Sequence, residues 1–396
     1  MDASDTSRID ADTDALLALT LAGGPAAPRR ALLETHRSAA AVRALPRQRW
    51  RDAGLETGQI RALEGDPGAL APAVLVRCRD WLQAPGHRLI GWQDVDYPPL
   101  LRRIGSPPLA LFVAGDAGLL WHPAVAVVGS RSPTAGGRDN ARSFSGALAT
   151  AGFGITSGLA AGVDRVAHEA ALGLGGVTVA VLGTGPDVAY PQSHAVLLAR
   201  IAGAGAVVSE HPPGTDARRE HFPSRNRIIA GLSLGTLVIE AASRSGALIT
   251  ARLAADAGRE VFAVPGSIHN PMARGCHRLI RDGASLVESA DDVVAALGSW
   301  AGALRGDLQR RLGGPISEVR PGPDAAPERP PGTPPEQTTF DNPAYHRLWQ
   351  ALGHDPSDMD QLVVRTGLTA ADLSSMLLHM ELQGRVAVEH GRYSRR

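Results

Sequence analysis

The sequence predicts an α/β chain with a doubly wound parallel sheet, and three observations carry that prediction. Short runs rich in Val and Ile recur at AVAVV (124–128), FGITS (153–157), TVAVLG (178–183), AVVSE (206–210), TLVIE (236–240) and VFAV (261–264). Helical stretches such as ARSFSGALATA, AVLLARIA and ALITARLAADAG separate them. The runs are apolar throughout instead of alternating with polar residues, as expected of strands covered on both faces. Buried strands alternating with helices define a Rossmann-like core.

Other segments flank this core. Residues 11–82 have helical apolar spacing, broken at Gly23-Gly24-Pro25, so 1–95 is expected to be a small helical domain. A scaffolding role suits it better than a DNA-binding one. The stretch WQDVDYPPLLRRIGSPPLALFVAGD lacks a clear period, and its prolines mark an ordered connector into a core spanning 96–300. Residues 301–340 form a linker whose 313–340 part is dense in proline and poor in large apolar groups. In 341–396, three short helical patterns precede two brief strands around His390-Gly391, the outline of a winged helix. Its 6 Arg face 7 acidic residues, which does not favour duplex binding.

Composition excludes several chemistries. All 40 basic residues are arginine, so neither a Walker A loop nor a Schiff-base lysine is available. Net charge is zero, and residues 106–300 hold 15 Arg against 15 Asp plus Glu, so any nucleic-acid site depends on local clustering. Cys78 and Cys276 give no disulfide framework and no zinc motif. The polar, acidic start and the lack of a long apolar run point to a cytoplasmic protein without a membrane span.

Ligands of such sheets bind beyond the carboxyl ends of the strands. There the sequence places Gly129-Ser130-Arg131, then Ser157-Gly158 with Asp164 and His168 following, then Gly183-Thr184-Gly185 and Tyr190-Pro191. Arg225-Asn226-Arg227 is expected just ahead of an apolar helix, aiming two guanidiniums and an amide at the crevice, and Gly246 and Thr250 open another helix. Small residues admit a phosphate to backbone N–H groups, and arginine grips it with a planar fork. The second strand ends at Ser157, not at an acidic residue, so a nicotinamide dinucleotide lacks its ribose anchor. Asp164 and His168 are four apart and suit either a dyad or a cap with a packing contact; the second fits better. No nucleophile stands beside a base and no metal-ligand spacing occurs, so no catalytic residue, metal or cofactor is expected.

Ordered blocks over residues 97–290 resemble the DNA-processing protein A (DprA/Smf) family: VAVVGSR, SGLAAGVD, VLGTGPDVAYP, SEHPPGT, FPSRNRIIAGLS, EAASRSGALITA and VPGSIHNPMARGCHRLIRDGASLV. The resemblance implies a protein that binds single-stranded DNA, shields it and loads RecA in natural transformation. It also implies a homodimer formed through the Rossmann-like core, a SAM-like N-terminal domain and, in some members, a C-terminal winged helix. Matched by motif, Gly129, Ser130, Arg131, Ser157, Gly158, Arg225, Asn226 and Arg227 are the implied DNA-binding residues, with Gly246 and Thr250. Gln192 and Ser224 stand where members often carry a basic residue, which lowers the local positive charge.

Two other readings compete. A nucleotide-processing hydrolase of the lysine-decarboxylase-like Rossmann family would carry PGGxGTxxE, but SLGTLVIE has only Gly235-Thr236, with Glu240 one residue late. An interaction scaffold that has lost DNA binding through charge dilution is the other.

Overall fold

The computed structural model describes residues 9–312, 343–352, 356–389 and 391–395. The chain divides into two compact units, Met1–Ser132 with Ala141–Leu304, and Pro133–Asn140 with Arg305–Arg396. Among the described residues no helix is long and apolar enough to cross a membrane.

Six helices come first: α1 (Ala11–Leu21), α2 (Ala27–His36), α3 (Ala39–Arg43), α4 (Arg47–Asp52), α5 (Thr57–Leu63) and α6 (Pro72–Leu82). Their apolar faces meet around Leu17, Leu33, Val42 and Trp50, and the same cluster takes in Leu89, Leu109 and Phe112. Leu109 and Phe112 belong to the stretch expected to be an aperiodic connector, and Leu89 lies just ahead of it. Strand β1 (His87–Gly91) immediately precedes that stretch, which itself contains α7 (Pro99–Arg102) and β2 (Ala110–Gly115). The two strands pair antiparallel with each other, and β2 pairs antiparallel with β6 (Ala206–Ser209). The helical segment is therefore packed against an extension of the sheet, and its expected boundary at residue 95 falls inside that extension.

The remaining core strands are β3 (Ala124–Gly129), β4 (Gly154–Ser157), β5 (Thr178–Leu182), β7 (Gly235–Ile239), β8 (Glu260–Ala263) and β9 (Ser285–Leu286). Each of the six expected strands is present to within a residue or two. The sheet order is β1-β2-β6-β5-β4-β3-β7-β8-β9, parallel from β6 through β9. The helices of the core are α8 (Ala135–Thr150), α9 (Val163–Gly173), α10 (Ala195–Ala204), α11 (His221–Gly231), α12 (Gly246–Asp256), α13 (Arg274–Arg281) and α14 (Ala290–Leu312). Successive strand residues point to opposite faces. Val125 and Val127 accordingly pack with Phe144, Val166 and Leu297 of α8, α9 and α14. Ala126 and Val128 pack with Leu101, Ile229, Ala251 and Cys276 of α7, α11, α12 and α13.

Helix α14 continues to Leu312, so the linker expected from residue 301 begins with ordered helix; the 313–340 stretch lies outside the described residues. The C-terminal elements are α15 (Pro343–Ala351), β10 (Ser357–Asp358), α16 (Met359–Thr366), α17 (Ala370–Leu382), β11 (Val386–Glu389) and β12 (Arg392–Arg395). Their sheet has the order β10-β12-β11, and Leu348, Leu362, Leu373, Leu377 and Val386 fill the space beneath it. Asp358 caps α16 by accepting from the Gln361 N–H at 2.8 Å. This is the winged helix the sequence outlines; His390, around which the two strands were expected, lies outside the described residues.

Candidate nucleic-acid interface

The chain passes from β3 through α8 to β4 on one side, and from β7 through α12 to β8 on the other. Because α8 and α12 cover opposite faces, the loops after β3 and β7 diverge and leave a crevice between the strand ends. Two adjoining cavities of about 800 Å³ and 630 Å³ occupy it, sharing Arg131, Ala160, Tyr190, Phe222 and Arg225 as lining.

Local chemistry explains the floor. A β-carbon on Gly129 would stand 1.9 Å from the Ile239 carbonyl oxygen, so only glycine lets β3 end this close to β7. Ser130 is buried; its carbonyl accepts from the Val163 N–H at 3.1 Å and its Oγ accepts from the Ser132 N–H at 3.1 Å. Ser157 is fully buried and donates through Oγ to the Val127 carbonyl at 2.7 Å, tying β4 to β3. Neither serine lines either of these two cavities, so both shape the loops instead of facing this opening.

Arg225 is 6% exposed. Its Nη1 donates to the Gly158 carbonyl at 2.6 Å and to the Val181 carbonyl, and its Nε donates to Asn226 Oδ1 at 3.0 Å. Burial pushes its pKa down to about 10, Asp164 opposing and Arg131 adding to the shift. From the other side, Asp164 Oδ2 accepts from the N–H groups of Gly158 at 3.1 Å and Ala160 at 3.3 Å. Burial raises the Asp164 pKa, and the Arg225 charge is the largest opposing effect. The two side chains thus grip one turn from opposite sides. Between their contacts Leu159 sits at φ 58°, a left-handed conformation that costs a non-glycine residue about 1–2 kcal/mol. His168 does not join Asp164; its Nδ1 meets Thr178 Oγ1 at 2.7 Å. The pair makes no dyad and His168 is a packing contact, as expected, but Asp164 ties the preceding turn and does not cap α9, whose N-cap Gly162 has no side-chain bond.

Arg227 departs from expectation. The helix begins at His221, not after Arg227, so Arg225 and Arg227 lie two residues apart within it. At 3.6 residues per turn such a pair is about 200° apart and cannot share a face. Arg227 instead donates from Nη2 to both oxygens of Glu210 at 2.6 Å, on the far side of the helix from the crevice. The crevice face of α11 is Phe222, Arg225, Asn226 and Ile229, the spacing of successive turns. Gly246 and Thr250 line the same cavity, where Ser245 caps α12 by accepting from the Ala247 N–H at 3.3 Å.

Arg131 is exposed at the junction of the two cavities, and no hydrogen bond or ion pair engages its side chain among the described residues. Exposed Arg219 joins it on the α12 side. Tyr190 is 47% exposed, with its ring centroid 5.0 Å from that of Phe222. Sequence reasoning missed Arg219, Tyr190 and Phe222 as site residues. The aromatic of the YP motif, quoted but not weighed, was the available signal. The residues brought together are hydrogen-bonding backbone, an open cation and an aromatic pair of exposed Tyr190 and half-buried Phe222.

Residues 88–298 match the family described as DNA recombination-mediator protein A, and residues 326–392 match the DprA winged helix domain. The chain belongs to the DNA processing protein A family. It is 40% identical over 321 residues to Protein Smf of Synechocystis, covering 76% of this chain and 79% of the relative. It is 48% identical over 202 residues to the DNA processing protein DprA of Streptococcus pneumoniae, covering 51% of this chain and 71% of the relative. The X-ray structure of DprA from that organism superposes with a TM-score of 0.64 at 37% identity, over 73% of this chain and 98% of the other. Membership in the DprA family accounts for both the mostly parallel core and the C-terminal winged helix.

Proposed function

We propose that this DprA-family chain binds single-stranded DNA along the crevice, shields it, and loads RecA on it during natural transformation in the cytoplasm. It does so as a homodimer joined through the Rossmann-like core, without catalysing a reaction and without a metal or cofactor. The observation that carries the reading is the pairing of open Arg131 with exposed Tyr190 at the mouth of one crevice. Phosphates are held by guanidinium and helix N-terminus, and bases stack on aromatic rings without regard to their sequence. A stretched single strand offers both groups at once, whereas a duplex hides its base faces. The family resemblance supports the RecA and dimer components.

The test is a gel shift with dT and duplex oligonucleotides, followed by RecA filament assembly on strands coated with single-strand-binding protein. Tight binding of dT in preference to duplex, and faster filament assembly, are expected. Equal affinity for duplex, or turnover of a nucleotide by the pure protein, would overturn the reading.

A further inference from the structure

The two halves of the crevice differ in charge. On the α12 side lie Arg219, Gly129, Gly246 and Thr250, and the one carboxylate there, Asp164, is buried and bonded to the Gly158 turn. On the other side the lining includes two exposed carboxylates, Asp187 and Asp216, with the amide of Gln192. Tyr190, Phe222 and Arg131 are common to both sides. The aromatic pair therefore stands on the boundary between a cationic half and a carboxylate-bearing half.

This polarity fixes how a strand lies. Phosphates are attracted to Arg131, Arg219 and the start of α12, and are repelled by Asp187 and Asp216. With the backbone in the cationic half, a base stacked on Tyr190 turns its hydrogen-bonding edge toward the carboxylates. An ionised carboxylate only accepts hydrogen bonds. Cytosine, adenine and guanine each carry an exocyclic amino donor. Thymine offers a single ring N–H between two carbonyl oxygens, which face the carboxylates unfavourably.

We propose that Asp187 and Asp216 are specificity-determining residues that make the crevice prefer amino-bearing bases over thymine. The proposal rests on the single-strand reading and deepens it, replacing indifference to sequence with a graded base preference. Asp187 is partly committed, since both its oxygens accept from the Gly214 N–H at 2.8 and 3.1 Å. Asp216 is the more available acceptor.

The experiment compares dC20 with dT20 at pH 7.5, two pyrimidine tracts of equal length, by fluorescence anisotropy on the full chain and on Asp216→Asn and Asp187→Asn/Asp216→Asn variants. The wild type is expected to bind dC20 about fivefold more tightly, the scale of one typical net hydrogen bond. Neutralising the carboxylates is expected to strengthen binding to both tracts while bringing the ratio toward one. Thermal melting of each variant separates this from misfolding, and Asp216→Asn alone keeps the test open if the double variant fails to fold. Equal wild-type affinities, or a ratio that survives in a folded variant, overturn the base preference and leave the single-strand reading standing. Failure to bind either tract overturns both.

Discussion

Arg225 is pressed so close to Gly158 that a β-carbon on that glycine would stand 2.2 Å from both terminal nitrogens of the guanidinium. The arginine was expected from its sequence position to offer its charge to a ligand. Instead its Nη1 and Nε are engaged by Gly158, Val181 and Asn226, so the protein itself holds the guanidinium in the wall of both cavities.

Arg225 and Arg131 should therefore respond oppositely to truncation. Arg225→Ala leaves two buried carbonyls without their donor and is expected to lower stability by about 2–5 kcal/mol. Arg131→Ala should leave the melting temperature unchanged, weaken dT binding by about 1–3 kcal/mol and reduce the log–log salt slope by about 0.7. Denaturant titration and a salt series on each variant check this. A fall in stability for Arg131→Ala would mean that the open cation has been misassigned.

Gly158→Ala is expected to displace Arg225 and cost about 1–3 kcal/mol, the scale of overpacking in a filled core. The same substitution at Gly246, where a β-carbon meets nothing within 4 Å, should be nearly neutral. Urea midpoints of the two variants make the comparison, and similar losses at both glycines would count against the close approach at Gly158.

Tyr190→Ala should weaken single-strand binding by about 1–3 kcal/mol with little change in stability, because the ring is exposed. Tyr190→Phe keeps the stacking face and should restore affinity. If the phenylalanine variant binds as poorly as the alanine one, the hydroxyl matters and stacking does not.

Stability should fall in acid. Burial pushes the His168 pKa down to about 3, and its Nε2 is buried without a partner. The unfolded chain, with an ordinary histidine near 6.5, takes up the proton first. The stability contributed by neutral His168 is thus complete above about pH 6.5 and is lost as pH falls toward 3, at up to about 1.4 kcal/mol per pH unit. His211, lowered to about 4 chiefly by burial, acts in the same direction. Asp164, whose pKa is raised, takes up its proton first in the folded state and offsets part of the loss at the acid end. Urea midpoints between pH 7.5 and 4.5 measure the slope, and His168→Gln should flatten it.

The parallel strands were legible because burial on both faces leaves an unbroken apolar run, as in AVAVV and TLVIE. Strands β1 and β2 were not, since the interval between them is crowded with Pro98, Pro99, Pro107 and Pro108. The reach of α11 was hidden by Pro223, which suggests a loop yet is tolerated in a first helical turn, where the missing N–H is not needed. That one misplaced boundary put Arg227 in the crevice. The Tyr190–Phe222 contact joins residues far apart in the chain and comes into view only once β5 and α11 are side by side. Glycines such as Gly129 and Gly158 were recognisable as places of close approach, but the atoms approaching them were not.

The absence of lysine acquires a practical meaning once the arginines are sorted by exposure. No side chain in this protein offers a primary amine, so amine-directed dyes, cross-linkers and surface couplings have no side-chain target. A guanidine-selective dicarbonyl, by contrast, has free access to Arg131 and almost none to Arg225. Modification at Arg131, blocked when a strand occupies the crevice, turns an unusual composition into a chemical footprint of the site.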